Sequence, residues 1–350
     1  MKTFSPIDST SRPWLLLTAD AQPGLRSLAE VRRSIEHGRA KALWDELLGK
    51  VTQEMSQSPW TPTSALPERD TASVERADRE HAIVEMTANR IRDAALAALI
   101  TGERRYVDAA LTQVWCLFDT AQWPEIDSRT QVEQRGDHCS LRRGQLALAL
   151  GLAYDWLHGF LDPGQRRQFL DGFEARFIQA LRLAHEAGDR ITDFTTRTAR
   201  NNFVPVIYGG FAVAGLALAG EHEHAEWLVQ TGRERMDRYL REAIGPAGEG
   251  NESVAYSGAA VGRSVTYLLA EHYAAGGQSD IFERYNLSAF YEWYMYFTLP
   301  PGRLVEVGDV KVAAAPATGP VAALASVRRD PCLQWYYLHY TDRAQAERQA

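Results

Sequence analysis

At 350 residues, with 45% apolar and 24% charged residues, the chain has the composition of a globular protein and enough length to bury a large core, which excludes a disordered chain. A formal net charge of −7 argues against nucleic acid or an anionic membrane surface as bulk electrostatic partners. The 3 cysteines, Cys116, Cys139 and Cys332, are too far apart for a metal motif or a disulfide framework, and no cofactor or metal is expected.

The opening MKTFSPIDSTSRPWLLL lacks the apolar core of a signal peptide. A cytoplasmic protein is therefore expected, or an exported one whose signal has been removed. Apolar residues recur at helical spacing from Leu25 to Met55, with a break at His37 and Gly38. A Trp/Pro/Thr-rich loop, Pro59 to Pro67, separates this run from the next, Ala72 to Ile100, which ends at Thr101-Gly102. Arg105 to Phe118 follows as a shorter partner. Ser140 to Leu157 is nearly continuous in small and apolar residues, the pattern of a helix buried on most sides. Asp162 and Pro163 supply an N-cap carboxylate and a proline at the first helical position, opening a helix to about Glu186.

Phe203 to Ala219 reads as a second buried helix, rich in Gly and Ala. Glu221 to Ala243, Ser257 to Ala275, Ile281 to Phe297 and Pro316 to Tyr340 continue the helical series. Only Arg303 to Val312 alternates like a strand. Residues 1–12 and 341–350 are expected to be flexible. The reading is one all-α domain over 1–350, with at most a short strand-like segment near 303–312. Its antiparallel helix pairs suggest a double-layered ring; a plain bundle or an irregular solenoid also fits the pattern.

Chemistry is sought in the loops at the helix ends. The loop before the first buried helix carries Gln134, Arg135, Asp137, His138, Arg142 and Arg143. The loop before the second carries Arg197, Arg200, Asn201 and Asn202. A later glycine-rich loop carries Glu249, Asn251, Glu252 and Tyr256, and the strand-like piece adds Glu306 and Asp309. Each has a plain structural alternative. Tyr256 can be a packed core residue, the asparagines can be caps, and His138 can be an ordinary surface histidine. Arg142 and Arg143 open a helix, where the macrodipole disfavours cations, which points to a role beyond that helix.

Several segments resemble, in order, the heparinase II/III and alginate lyase group of polysaccharide lyases. SLRRGQLALALGLAYDWLHGF is similar to the group's buried-helix signature, with Tyr154-Asp155-Trp156-Leu157 matching directly. RPWLLLTADAQPGLRS resembles its opening segment, and NNFVPVIYGGFAVAGLALAGE its Asn-led inner helix. GEGNESVAYSGAAVGRS resembles its "dG…EG.sY..Y" loop, with Glu252 and Tyr256 in register, and RLVEVGDVKV its "fGD" segment.

The resemblance implies an incomplete (α/α) toroid and β-elimination on a uronic-acid-containing polysaccharide or oligosaccharide. That reaction needs the uronate carboxylate neutralised, a base for the C5 proton and an acid for the leaving O4. By resemblance Tyr256 is the base, the acid or both, and Asn202, with Asn201 beside it, neutralises the carboxylate. Arg142, Arg197 and Arg200 bind substrate acid groups, while Glu252 and Asp309 orient neighbours. Many members carry His immediately after the Asn, where this chain has Phe203, and His138 is the candidate to replace it. Group members also continue into a β-sandwich domain; a homo-oligomer or a partner domain is the expected substitute. Two alternatives remain open. One is a glycoside hydrolase on a related ring, pairing Glu252 with Asp309 or Asp137. The other is a non-catalytic glycan-binding or assembly toroid.

Overall fold

The structure is a computed structural model that describes residues 12–66, 76–127, 138–187, 201–277, 280–300, 302–305 and 318–349. The first helices are α1 (Leu28–Ser34), α2 (Gly38–Met55), α3 (Arg76–Thr101) and α4 (Arg104–Phe118). The two-residue link after Thr101 makes α3 and α4 an antiparallel hairpin, and the two pack together. The buried helix α5 (Leu141–Leu157) starts at Ser140, whose Oγ accepts the Arg142 N–H at 3.3 Å. The expected start at Asp162-Pro163 is present as a full capping box: the Asp162 carboxylate accepts the Gln165 N–H at 2.8 Å, and Gln165 reaches back. That element is α6 (Pro163–Phe173), which passes through a π-helical turn (Glu174–Ile178) into α7 (Gln179–Ala187).

The series continues with α8 (Phe203–Ala217), α9 (Ala225–Ala243), α10 (Val254–Ala274) and α11 (Leu287–Tyr296). A two-stranded antiparallel hairpin follows, β1 (Thr298–Leu299) with β2 (Arg303–Leu304), and then α12 (Thr318–Arg328) and α13 (Pro331–Gln349). The larger differences from the sequence reading lie toward the C-terminal part of the described residues. Helix α11 starts at Leu287 rather than Ile281, because Asp280 to Asn286 is not helical. The strand-like run pairs only at Arg303 and Leu304, and residues 306–312 lie outside the described residues. The last predicted helix is two: Arg329 takes a positive φ of 52°, Pro331 opens α13, and α13 continues to Gln349.

Helices α3, α5, α8 and α10 pack side by side in that order, with α4 on α3 and α9 on α8. Helix α10 also packs on α12, and α12 on α13. Almost every residue of α5 and α8 is buried, as their composition implies. Fully buried aliphatics such as Leu146, Leu150, Ile207 and Leu216 each contribute about 1.5–3 kcal/mol. The two backbones meet at glycine: a Cβ on Gly210 would sit well inside van der Waals contact distance of the Gly144 carbonyl oxygen. Beyond this row, the guanidinium of Arg39 on α2 lies 4.9 Å from the Tyr337 ring centroid on α13. Among the described residues no helix is long and apolar enough to cross a membrane.

Residues 12–35 run across the C-terminal ends of α3, α5, α8 and α10. Arg32 donates to the Ile100 carbonyl at 2.8 Å, on α3. Asp155, near the end of α5, accepts from the Trp14 and Leu15 N–H groups at 3.1 and 2.9 Å. Arg12 donates to the Ala217 carbonyl at 2.6 Å, at the end of α8. The Arg26 N–H meets the Tyr273 hydroxyl at 3.0 Å, at the end of α10. The N-terminal ends of these parallel helices therefore share the opposite end of the molecule.

Candidate functional site

The described candidates lie at that opposite end. Asn201 and Asn202, neighbours in sequence, do different work. The Asn201 Oδ1 accepts the Phe203 N–H at 2.8 Å, a local cap. Asn202 occupies the N-cap position of α8, but its side chain makes no capping hydrogen bond, so its amide is not spent on the helix. The Asn202 backbone N–H faces the carboxylate of Glu252, just before α10.

The path of Glu252 is held from several sides. The loop before it closes through an Ile244–Gly250 bridge and a 2.8 Å bond from the Gly245 N–H to the Glu249 carbonyl. The Asn286 side-chain amide donates to the Gly245 and Pro246 carbonyls at 3.3 and 3.2 Å. Gly248, at φ 87°, takes a backbone conformation that side chains rarely allow. The Glu252 N–H then reaches Ser257 Oγ at 3.3 Å. Burial raises the Glu252 carboxyl above the usual carboxylate range, with the Asn202 N–H opposing. Among the described residues its buried Oε2 has no hydrogen-bond partner. Tyr239 on α9 is buried near it, and burial followed by the Glu252 charge raises that phenol.

Tyr256 follows one turn later. Ser253 caps α10 by accepting the Tyr256 N–H at 3.3 Å, while the Tyr256 side chain projects outward with 44% of the residue exposed. It is not a packed core residue. His138 is exposed ahead of α5.

The arginines at the start of α5 are both held by acidic side chains. Arg142 is buried, and its Nη2 pairs with Glu80 Oε2 on α3 at 2.7 Å. Arg143 pairs with Asp127 and donates to the Arg176 carbonyl in the π-helical turn. Asp127 also accepts the Ser140 N–H at 3.1 Å. Both cations find acidic partners outside their own helix, which outweighs the unfavourable macrodipole. Arg142 thus joins α3 to α5 rather than standing open to a substrate acid group. Gln134, Arg135, Asp137, Arg197, Arg200, Glu306 and Asp309 lie outside the described residues.

A second polar cluster, unforeseen from sequence, lies at the far end and unites two segments of the resemblance. The Asp155 carboxylate, besides holding the Trp14 and Leu15 N–H groups, lies 3.3 Å from Arg12 Nη1. Trp156 Nε1 donates to the Leu15 carbonyl at 3.0 Å. Arg12 also pairs with Glu221 at 2.7 Å and lies 4.0 Å from the Trp14 ring centroid. Glu221 accepts the Tyr154 hydroxyl at 2.9 Å and faces His158 Nε2 at 3.0 Å. Burial alone would raise Glu221, but His158, Arg12 and Tyr154 outweigh it and hold the carboxyl at about 2. Burial lifts Asp155 to about 6 against Arg12 and the two N–H groups. The Tyr-Asp-Trp run is thus a fastening for the N-terminal segment.

Two surface depressions, about 600 and 490 Å³, flank α6, lined in part by Trp115, Phe118 and Arg167 and by Arg166 and His222 respectively. Neither includes a candidate residue. Among the described residues no three His, Cys, Asp or Glu side chains are grouped to hold a metal ion. Cys116, Cys139 and Cys332 form no disulfide; the first two are buried and Cys332 is exposed. No family model matches the chain, and no curated protein matches it.

Proposed function

We propose that the chain is a polysaccharide lyase-type (α/α) toroid acting by β-elimination on a uronic-acid-containing glycan. The observation that carries this reading is the meeting of Asn202, whose side-chain amide is not used as a cap, with the loop that presents Tyr256. An amide can hydrogen-bond the charge developing on a uronate carboxylate, and an exposed phenol can exchange protons at C5 and O4. The N-termini of α3, α5, α8 and α10 open toward the same end, where their partial positive charges favour an acidic sugar. Glu252 is placed to orient the asparagine backbone rather than to react.

The ring itself is supported by two relationships. Arg39 on α2 touches Tyr337 on α13, joining the first and last parts of the helical series. Arg263 on α10 senses Glu85 and Arg92 on α3, although α5 and α8 stand between these helices in the packed row. Both fit a row of helices curved upon itself.

Phe203, in the place where many group members carry His, favours a second reading as a glycan-binding toroid without turnover. The test is addition of alginate, heparan and chondroitin-type polymers to the protein and to Tyr256→Phe. Ultraviolet absorbance from an unsaturated uronyl product, present in the first and lost in the second, supports elimination. Binding retained in both, with no absorbance in either, selects the glycan-binding reading.

A further inference from the structure

The larger of the two depressions, about 600 Å³, lies where α4 and α6 meet. Trp115 and Phe118 line it from α4, and Arg167, Gln168 and Asp171 from α6. Its size is that of a small-molecule site. The aromatic floor is already built. Phe118 meets the buried Phe169 ring edge-on, with centroids 5.6 Å apart, and Trp115 meets the same ring at 6.2 Å. Gly172 completes the floor: a Cβ there would overlap the Phe118 ring, which fills the place of a side chain on α6. Trp115 and Phe118 both remain partly open to solvent.

The polar groups around this floor are not spent on the protein. Arg167 and Asp171 stand four apart on α6, the spacing at which Arg104 pairs with Asp108 and Arg238 with Glu242, each at 2.9 Å. They form no such pair. Among the described residues the Trp115 indole N–H, the Arg167 guanidinium and the Gln168 amide donate to nothing, and the Asp171 carboxylate accepts no hydrogen bond. Asp119, on the α4 side, is occupied: its carboxylate accepts the Ala121 N–H at 2.8 Å and the Gln122 amide at 3.1 Å. A neutral pyranose has the matching chemistry, an apolar C–H face ringed by hydroxyls that each donate and accept. The electron-rich face of an aromatic ring suits the C–H side. The hydroxyls then find donors in Arg167 and Gln168 and an acceptor in Asp171. One cation against the two carboxylates of Asp119 and Asp171 disfavours an acidic sugar, and a purely apolar ligand would leave these polar groups covered without partners.

We propose that the depression between α4 and α6 is a saccharide site separate from Asn202 and Tyr256. It takes a neutral pyranose unit stacked on Trp115 and held at its hydroxyls by Arg167, Gln168 and Asp171. The smaller depression, about 490 Å³, shares Arg167 and Asp171, so an oligosaccharide seated on Trp115 has room to continue across α6. No residue of the elimination reading takes part, and the site stands or falls without it.

The test is nitrogen–proton correlation NMR of the full chain with neutral probes (maltohexaose, cellohexaose and mannohexaose) and an acidic one, an unsulfated uronate hexamer. Trp115→Phe identifies the Trp115 indole signal by its disappearance. At least one neutral probe should shift that signal, and the uronate hexamer should leave it in place. Arg167→Ala and Gln168→Ala, which alter exposed side chains, should each weaken the binding about fivefold. Tyr256→Phe should leave it unchanged. Should Trp115→Phe not fold, calorimetry with the Arg167 and Gln168 variants decides the matter. An indole signal that no neutral probe moves, a shift caused by the uronate alone, or unchanged affinity in both Arg167→Ala and Gln168→Ala overturns the site. Neutral-sugar binding that depends on Arg167, with no ultraviolet product from any uronate polymer, overturns elimination and leaves this site standing. Ultraviolet product without neutral-sugar binding does the reverse.

Discussion

Arg12 Nη1 lies 3.3 Å from Asp155 Oδ1, with side chains 4% and 0% exposed, across 143 residues of sequence. The pair has further support: Asp155 also accepts two backbone N–H groups, and Arg12 also reaches Ala217 and Glu221. A buried pair so satisfied is most damaging when only one partner is removed. Asp155→Ala and Arg12→Ala are each expected to cost about 3–5 kcal/mol in denaturant unfolding. The double variant should cost less than the sum, because the second removal no longer strands a charge.

The acid groups of this fastening predict a two-sided pH dependence. Glu221, held at about 2, contributes stability that is present above its ordinary range near 4.5 and lost as pH falls through 2. Asp155, lifted from 3.8 to about 6, works in the other direction: its contribution is complete below 3.8 and lost as pH rises through 6. Unfolding free energy measured from pH 3 to 8 should therefore carry both slopes. Glu221→Gln should flatten the acid limb and Asp155→Asn the limb near pH 6, each relative to wild type.

The contact between α5 and α8 predicts an intolerance to the smallest possible change. Gly210→Ala places a methyl group against the Gly144 carbonyl, where only backbone can yield. The two helices must separate, at a cost of about 1–3 kcal/mol or more. Gly159→Ala, whose added carbon meets nothing within 4 Å, is the control and should melt near wild type.

The neighbouring asparagines should separate stability from activity. Asn201→Ala removes the bond to the Phe203 N–H and is expected to cost about 0.5–2 kcal/mol. Asn202→Ala loses no cap and should leave the melting temperature nearly unchanged. If the elimination reading holds, the order reverses for turnover: Asn202→Ala loses far more than Asn201→Ala. Tyr256→Phe, altering an exposed side chain, should stay within about 0.5 kcal/mol of wild-type stability. On the elimination reading, its rate of ultraviolet product formation should fall about 100-fold or more.

Helix positions were legible wherever local chemistry marks them. Ser140 and Asp162 cap the helices they precede, His37-Gly38 divides α1 from α2, and the small residues of α5 and α8 foretell their burial. What escaped detection depends on partners distant in sequence or on insertions without a local signature. The π-helical turn at Glu174 adds a residue to an otherwise regular run, and nothing in EARFI announces it. Arg142 looks available until Glu80, on another helix, is placed beside it. Tyr154, Asp155 and Trp156 are recognisable as a motif, yet their task becomes visible only when residues 12–15 lie against them. At the N-terminal ends of α8 and α10, the sequence places two asparagines and a tyrosine near helix starts; the contrast between Asn201 and Asn202 is a matter of which oxygen accepts which N–H.

The segment crossing the ends of α3, α5, α8 and α10 also bears on the order in which the protein folds. Its partners lie far down the chain: Leu15 bonds to Asp155, 140 residues away, and Arg26 to Tyr273, 247 residues away. Although synthesised before those helices, it has no complete seat until α10 exists, and closing such long loops carries an entropic cost that local helix pairing does not. In pulse-labelled hydrogen exchange, the Trp14 and Leu15 amides should gain protection after those of α5 and α8. The beginning of the chain is then the last part to come to rest, and its arrival joins four separately formed helix ends into one cooperative unit.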